Sequence, residues 1–133
     1  MTALLGVLGE LTLALTLLNG QFIPIEQKDP MTLWLEALEQ CESGGKSDIK
    51  VLDVNDKYSY GSLQFQAHTF TRYAKRYGFF PETFTDEQIL ENIYDRHTQF
   101  TLARNMIADR YENYLAWTNC TTKLGVGLPP ESI

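Results

Sequence analysis

The residue with the greatest potential for chemistry is Glu42, which ends a predicted helix over 31–42. At about 100° per residue, Met31, Leu35 and Leu38 fall on one face of this helix together with Glu42. A carboxyl at the end of an apolar stripe is partly removed from water, and burial raises the pKa of a carboxyl. Such a group can keep its proton near neutral pH and donate it to a leaving oxygen. The periodicity alone also allows the side chain to bend out into water.

Other carboxylates nearby could add a second negative charge. Glu36 and Glu39 lie on the same predicted helix, about 120° and 60° from Glu42, and are expected to be solvated. Three aspartates in the following segment could supply the second carboxylate, although each is also a typical turn or hairpin residue: Asp48, Asp53 and Asp56.

Local signals define the elements that must position these groups. Asp29 and Pro30 are a helix N-cap and first residue, and Ser43-Gly44-Gly45 ends that helix. Residues 49–65 contain short β-prone pieces around an Asn55-Asp56 turn, which predicts a small hairpin or an irregular loop.

Three further helices follow, at about 67–77, from the capping box that opens at Thr85, and at about 96–116. The tail from Lys123 is loop-like. The predicted class is therefore α+β, predominantly helical, with a small β region after the first helix.

The segment around Glu42 resembles the lysozyme-like superfamily, specifically soluble lytic transglycosylases and goose-type lysozymes. Glu42-Ser43-Gly44-Gly45 is followed, about 20 residues later, by Tyr60-Gly61-Ser62-Leu63-Gln64-Phe65. In that family a helix ends in a Glu-Ser pair, and a small β region leads to a Gly-Leu-x-Gln motif. The similarity covers about residues 30–110 and is sharpest over 41–78.

The resemblance implies a role for each matching residue. Glu42 matches the catalytic acid, which protonates the glycosidic oxygen and then acts as a base. Ser43 matches the residue that helps orient this glutamate and the substrate. Gly61 and Gln64 match the motif that lines the cleft, where the Gln64 amide would bind the sugar or the glutamate.

Two more residues are candidates for binding substrate. Tyr60 could stack against a sugar face, although a core tyrosine is an equal alternative. Asp56 is the aspartate whose position best matches the family, and it is also the most typical turn residue.

The implied activity is cleavage of the β-1,4 bond between N-acetylmuramic acid and N-acetylglucosamine in peptidoglycan, without a cofactor or metal. Transglycosylases of the family use one glutamate with help from the substrate, whereas two-carboxylate hydrolases add a second acid. The later Ala-Tyr-Asn-x-Gly motif of the transglycosylases is missing here, with only Asn113-Tyr114-Leu115 as a faint counterpart. Both chemistries therefore stay open, and the alternative is a catalytically inactive glycan-binding or structural envelope domain on the same fold.

The two cysteines and two histidines allow several readings. In an exported protein Cys41 and Cys120 would pair and tie the first helix to the C-terminal segment, whereas two buried free thiols are the alternative. Cys41 could also act as a nucleophile with His68 or His97 as its base. That mechanism is disfavoured, because the C-terminal end of a helix raises the pKa of a thiol.

The composition of the N-terminal segment predicts the cellular location of the protein. Residues 1–20 are predicted to be a signal peptide or an N-terminal membrane anchor, although no basic residue precedes Lys28. A helix packed on the domain is the alternative. Residues 21–28 are predicted to be a linker and 29–133 the folded domain, in a secreted or envelope-bound protein.

Length and charge limit the remaining classes of protein. The chain has 133 residues, which argues for one domain, and a net charge of -6, which argues against a nucleic-acid partner. The expected state is a monomer. The expected partners are peptidoglycan glycan strands, with a membrane tether only through the N-terminal segment. One basic cluster could meet the acidic peptides of peptidoglycan or simply be a solvated face: His68, Arg72, Lys75 and Arg76.

Overall fold

The structure, a computed structural model, describes residues 2–8, 11–24 and 27–131. It confirms an α+β fold that is mostly helical. The α-helices are α1 (Pro30–Ser43), α2 (Ala67–Arg76), α3 (Asp86–Leu90) and α4 (Arg96–Asp109), followed by a 3-10 helix (Tyr111–Trp117) and a π-helical turn (Asn119–Lys123). The strands are β1 (Thr2–Leu8), β2 (Leu11–Leu18), β3 (Gln21–Pro24), β4 (Lys50–Leu52), β5 (Tyr58–Tyr60) and β6 (Phe65–Gln66).

The N-terminal segment is extended rather than helical. Strands β1, β2 and β3 form an antiparallel sheet in chain order, with an irregularity in register between Leu4 and Val7. Strand β3 falls within the predicted linker 21–28. The role of residues 1–20 as an export signal or anchor stays a prediction. No helix in the described part of the chain is long and apolar enough to cross a membrane.

Helix α1 begins and ends where the sequence predicts. The Asp29 carboxylate accepts a hydrogen bond from the Thr32 amide at 2.8 Å and caps the first turn. At the other end Gly44 adopts the left-handed conformation, with φ 65°, and its amide donates to the carbonyl of Gln40. The apolar face of α1 is fully buried in the core.

A hairpin follows α1, as one of the two predicted alternatives. Strands β4 and β5 are antiparallel, and β5 also pairs with β6. The turn between β4 and β5 is closed by the Asp53 amide, which donates to the Lys57 carbonyl at 2.8 Å. Asp56 lies in this turn with φ 63°, a conformation that aspartate tolerates better than most residues.

The fourth helix is shorter than the predicted 96–116. Helix α4 ends at Asp109, because the next residue, Arg110, is extended, with φ -151°. The Asn113 side chain then donates to the Met106 carbonyl at 2.7 Å, within the last turn of α4. The chain continues as the 3-10 helix, so the segment leading to Trp117 takes a new direction.

The core is formed by α1, α2 and α4 around the C-terminal segment. Trp117 is buried, packs edge-on against Trp34 and Phe65, and donates its indole N–H to the Leu63 carbonyl at 2.8 Å. The most deeply buried large side chains include Met31, Leu35, Leu38, Leu63, Phe70, Ile89, Leu102 and Met106.

A disulfide joins α1 to the π-helical turn. Cys41 and Cys120 are bonded, with 79 residues of sequence separation. This confirms the predicted pair and excludes two free thiols. The bond fixes the C-terminal segment beside the last turn of α1, where Glu42 lies.

We expect reduction of this disulfide to lower the free energy of unfolding by up to about 4 kcal/mol, because the bond constrains a long loop of the unfolded chain. Urea unfolding of the oxidised protein and of the Cys41→Ser/Cys120→Ser variant would measure the difference. Equal stability of the two proteins would contradict the role assigned to the bond.

Candidate functional site

A groove of about 400 Å³ opens beside the end of α1, and we call it the Glu42 groove. Its walls come from α1, the β4–β5 hairpin and the C-terminal segment. The lining residues are Glu42, Val51, Leu52, Asp53, Ser59, Gln64, Leu115, Ala116, Trp117, Thr118 and Asn119. Segments far apart in the chain therefore meet around a single glutamate.

Glu42 is half-buried in this groove and does not bend out into water. Its carboxylate accepts no hydrogen bond from residues 27–131. Burial, and to a smaller extent the negative charge of Asp53, raises the pKa of Glu42 from its ordinary 4.5 to about 7. The group can therefore hold a proton near neutral pH and release it to a bound acceptor.

The second carboxylate of the groove belongs to Asp53 and not to Asp56. Asp56 is exposed in the hairpin turn and does not line the groove. Asp53 accepts hydrogen bonds from the Ser59 hydroxyl at 3.1 Å and the Gln66 amide at 3.2 Å, so its side chain is held in place. Asp53 reaches the groove because it directly follows β4, whereas Asp56 lies further along in the hairpin turn.

Glu39 is buried, contrary to the expectation of a solvated residue. Its two carboxylate oxygens accept hydrogen bonds from Arg96 Nε at 2.7 Å and Nη2 at 3.0 Å. The Arg96 guanidinium holds the pKa of this carboxyl below its usual range. The expectation fails because α4, which is distant in sequence, supplies the arginine that covers this side of α1.

The motif Gly61–Gln64 shapes one end of the groove. Gln64 lines the groove, and its side-chain Nε2 donates to the Gly61 carbonyl at 2.9 Å rather than to Glu42. Gln64 also has φ 55°, which is uncommon for a residue other than glycine. Strained backbone conformations of this kind occur frequently at binding and active sites.

Gly61 lies behind the groove, where no side chain fits. It has φ 75°, and a Cβ at this position would lie 2.6 Å from Gln99 Nε2. Gly61 therefore shapes the motif through its backbone, and it does not line the groove itself.

Gln99 is a positioning residue that the sequence analysis missed. It is fully buried, accepts from the Leu63 amide at 2.7 Å, and donates to the carbonyls of Tyr60 at 2.8 Å and Ile93 at 2.6 Å. One amide thus fixes both ends of the Tyr60–Leu63 turn. Gln99 lies four residues before Ala103, and this helical spacing places it on the apolar face of α4. The sequence could therefore have indicated that Gln99 is buried.

The structure does not bring Ser43 or Tyr60 into the groove. The Ser43 hydroxyl is buried and donates to the Glu39 carbonyl at 3.1 Å, within its own helix. Tyr60 is half-buried and packs edge-on against Tyr94, with ring centroids 5.7 Å apart. Of the residues matched to the family, Glu42 and Gln64 line the groove, and Asp53 is the one of the three candidate aspartates that does so.

The histidines are separate from this groove. His68 is exposed on α2 and His97 is exposed on α4. Among the described residues, no group of three or more His, Cys, Asp or Glu side chains converges on a point that could hold a metal ion.

Comparison with known proteins adds no family to this geometry. No family model matches the chain, and no curated protein or solved structure matches it.

We expect Gln99→Leu to lower the free energy of unfolding by at least about 2 kcal/mol, because it leaves a buried amide and two carbonyls without partners. Urea unfolding would measure the loss. The same change at the exposed Gln40 on α1 is the control and should stay within about 0.5 kcal/mol of the wild type. Equal effects at the two positions would contradict the positioning role of Gln99.

The raised pKa of Glu42 predicts a stability that depends on pH. The folded protein holds this proton more tightly than the unfolded chain, so the stability it provides is fully present below about pH 4.5 and is lost as the pH rises through about 7. We therefore expect the free energy of unfolding of Glu42→Gln, relative to that of the wild type, to rise by up to about 3 kcal/mol between about pH 4.5 and pH 8.

Urea unfolding of both proteins at the two pH values would measure this gain. Glu91→Gln, at an exposed position outside the groove, is the matched control and should show no comparable gain. A constant difference between Glu42→Gln and wild type across this pH range would contradict the buried, protonated carboxyl.

Proposed function

We propose that this protein is a peptidoglycan-cleaving glycosidase in which Glu42 is the general acid and base. The observation that carries the proposal is a half-buried carboxyl with a pKa of about 7 at the wall of a groove that also contains Asp53 and Gln64. A group with this pKa is suited to deliver and recover a proton near neutral pH. The resemblance of 41–78 to lysozyme-like enzymes independently selects the same glutamate.

The groove can account for each need of the reaction. Glycosidic cleavage requires a proton on the departing oxygen, which protonated Glu42 supplies, and relief of the positive charge that develops at the anomeric carbon. The Asp53 carboxylate provides a negative charge in the same groove for that purpose. After the bond breaks, the Glu42 carboxylate accepts a proton from the attacking hydroxyl, whether it comes from water or from the sugar itself.

The size and lining of the groove suit a carbohydrate. A volume of about 400 Å³ lies in the range of small-molecule clefts. The exposed side chains of Thr118 and Asn119 carry a hydroxyl and an amide, which are groups that bind sugar hydroxyls. The buried Trp117 also borders the groove.

The disulfide supports a location outside the cytoplasm. Bonds such as Cys41–Cys120 form and persist in oxidising compartments, which include the bacterial periplasm and the cell exterior. Peptidoglycan is accessible from such a compartment, so location and substrate agree with one another.

We expect Glu42→Gln to reduce cleavage of purified peptidoglycan by at least about a hundredfold, because the amide cannot donate the proton that the leaving oxygen needs. A zymogram and a soluble turnover assay would measure the loss. Glu36→Gln, six residues earlier on α1 and outside the groove, is the matched control and should retain activity.

Mass spectrometry of the products then separates the two chemistries. A 1,6-anhydro end marks transglycosylation, and a reducing end marks hydrolysis. Equal clearing by wild type and Glu42→Gln would overturn the role of Glu42. If neither protein clears peptidoglycan but both bind it, the chain is the inactive glycan-binding domain that shares this geometry.

A further inference from the structure

A second groove lies next to the Glu42 groove, and we call it the Arg72 groove. Its volume is about 360 Å³, and α2, the end of α4 and the 3-10 helix form its walls. Leu115 and Ala116 line both grooves, so the two share one wall. A single ligand that crosses this wall would occupy both.

The two grooves carry opposite charge. Glu42 and Asp53 are the acidic residues that line the first groove. The second is lined by the cations Arg72 and Arg110, with His68 beside them. This concentration of positive charge stands out on a chain whose net charge is -6.

The Arg72 groove contains one acidic residue, which leaves its positive charge only partly balanced. Glu112 lies 3.6 Å from Arg110, measured from Oε2 to Nε, and both side chains are more than half exposed. An exposed pair of this kind is weak, because water screens it. Arg72 has no carboxylate partner among residues 27–131, and its guanidinium lies 5.3 Å from the centre of the Tyr73 ring.

The floor of the Arg72 groove is held by hydrogen bonds within the protein. The Tyr73 hydroxyl donates to Asn113 Oδ1 at 3.3 Å, and the Asn113 amide donates to the Met106 carbonyl at 2.7 Å. These contacts connect α2, α4 and the 3-10 helix, so the groove exists before any ligand arrives. Binding to a preformed site costs less conformational entropy, because the side chains that form the site are already ordered.

We infer that the Arg72 groove binds a carboxylate-bearing peptide attached to the sugar chain that occupies the Glu42 groove. The inference rests on the proposed function and adds the substrate class to it: glycan strands that still carry their peptides. Guanidinium groups bind carboxylates through paired, charge-assisted hydrogen bonds, and Arg72 and Arg110 supply two such groups. The shared wall of Leu115 and Ala116 is where the branch would leave the sugar chain.

Binding to an uncleaved substrate tests this inference. The full chain carrying Glu42→Gln would be titrated with glycan strands that retain their peptides and with the same strands after the peptide carboxylates are converted to amides, which adds no new carboxylate to the sugar. We expect about tenfold tighter binding of the strands with free carboxylates, because one charge-assisted hydrogen bond is worth about that factor. Adding Arg72→Gln should reduce this preference to about twofold or less.

Arg76→Gln is the matched control. Arg76 lies on the same helix, carries the same charge and lines neither groove, so the tenfold preference should persist. Equal binding of both kinds of strand by Glu42→Gln would overturn the inference while leaving the proposed function standing. Failure to bind either strand would overturn both.

A competitor distinguishes the peptide from general attraction of anions. Free peptide with its carboxylates should displace the strands, and the same peptide with amidated carboxylates should not. If inorganic polyphosphate at equal charge displaces them as well as the peptide does, the groove is a general anion site and the inference is wrong.

Discussion

Attachment of the C-terminal segment to α1 is the constraint on which the site depends. The Cys41–Cys120 bond and the buried Trp117 hold this segment against the last turn of α1 and the Leu63 carbonyl. Without that wall Glu42 would be a helix-end glutamate in water. The desolvation that raises the pKa of Glu42 is therefore a tertiary property, produced by contacts between residues about 80 positions apart in the chain.

Two glutamates three residues apart on α1 show how environment separates identical groups. Glu39 is buried with an arginine, so its carboxylate stays charged and serves as an anchor between α1 and α4. Glu42 is half-buried with a second carboxylate nearby, so its charged form is disfavoured. The same side chain has a lowered pKa in the first case and a raised pKa in the second because, of the two, only Glu39 has a cationic partner among the described residues.

The arrangement of charge also separates the two grooves. Glu42 and Asp53 face one groove, and Arg72 and Arg110 face the neighbouring groove. Because Leu115 and Ala116 line both grooves, a ligand that spans them experiences the charges of both. A net charge of -6 would not reveal this local separation.

The sequence by itself determined features that depend on neighbouring residues. The cap at Asp29, the stop at Gly44 and the placement of Glu42 at the end of an apolar stripe follow from helix geometry and local backbone preferences. The capping box at Thr85 was also predictable, since it needs only a few adjacent residues, whereas the sequence left the hairpin open against an irregular loop.

Tertiary structure decided what the sequence left open. Asp53 rather than Asp56 enters the groove, Glu39 meets Arg96, and Gln99 holds the turn before Gln64, because each outcome requires a partner from a distant element. Helix α4 stops at Asp109, and the chain that follows it closes the groove over α1. Periodicity reports which face of an element is apolar, whereas only the packed fold determines which side chain covers it.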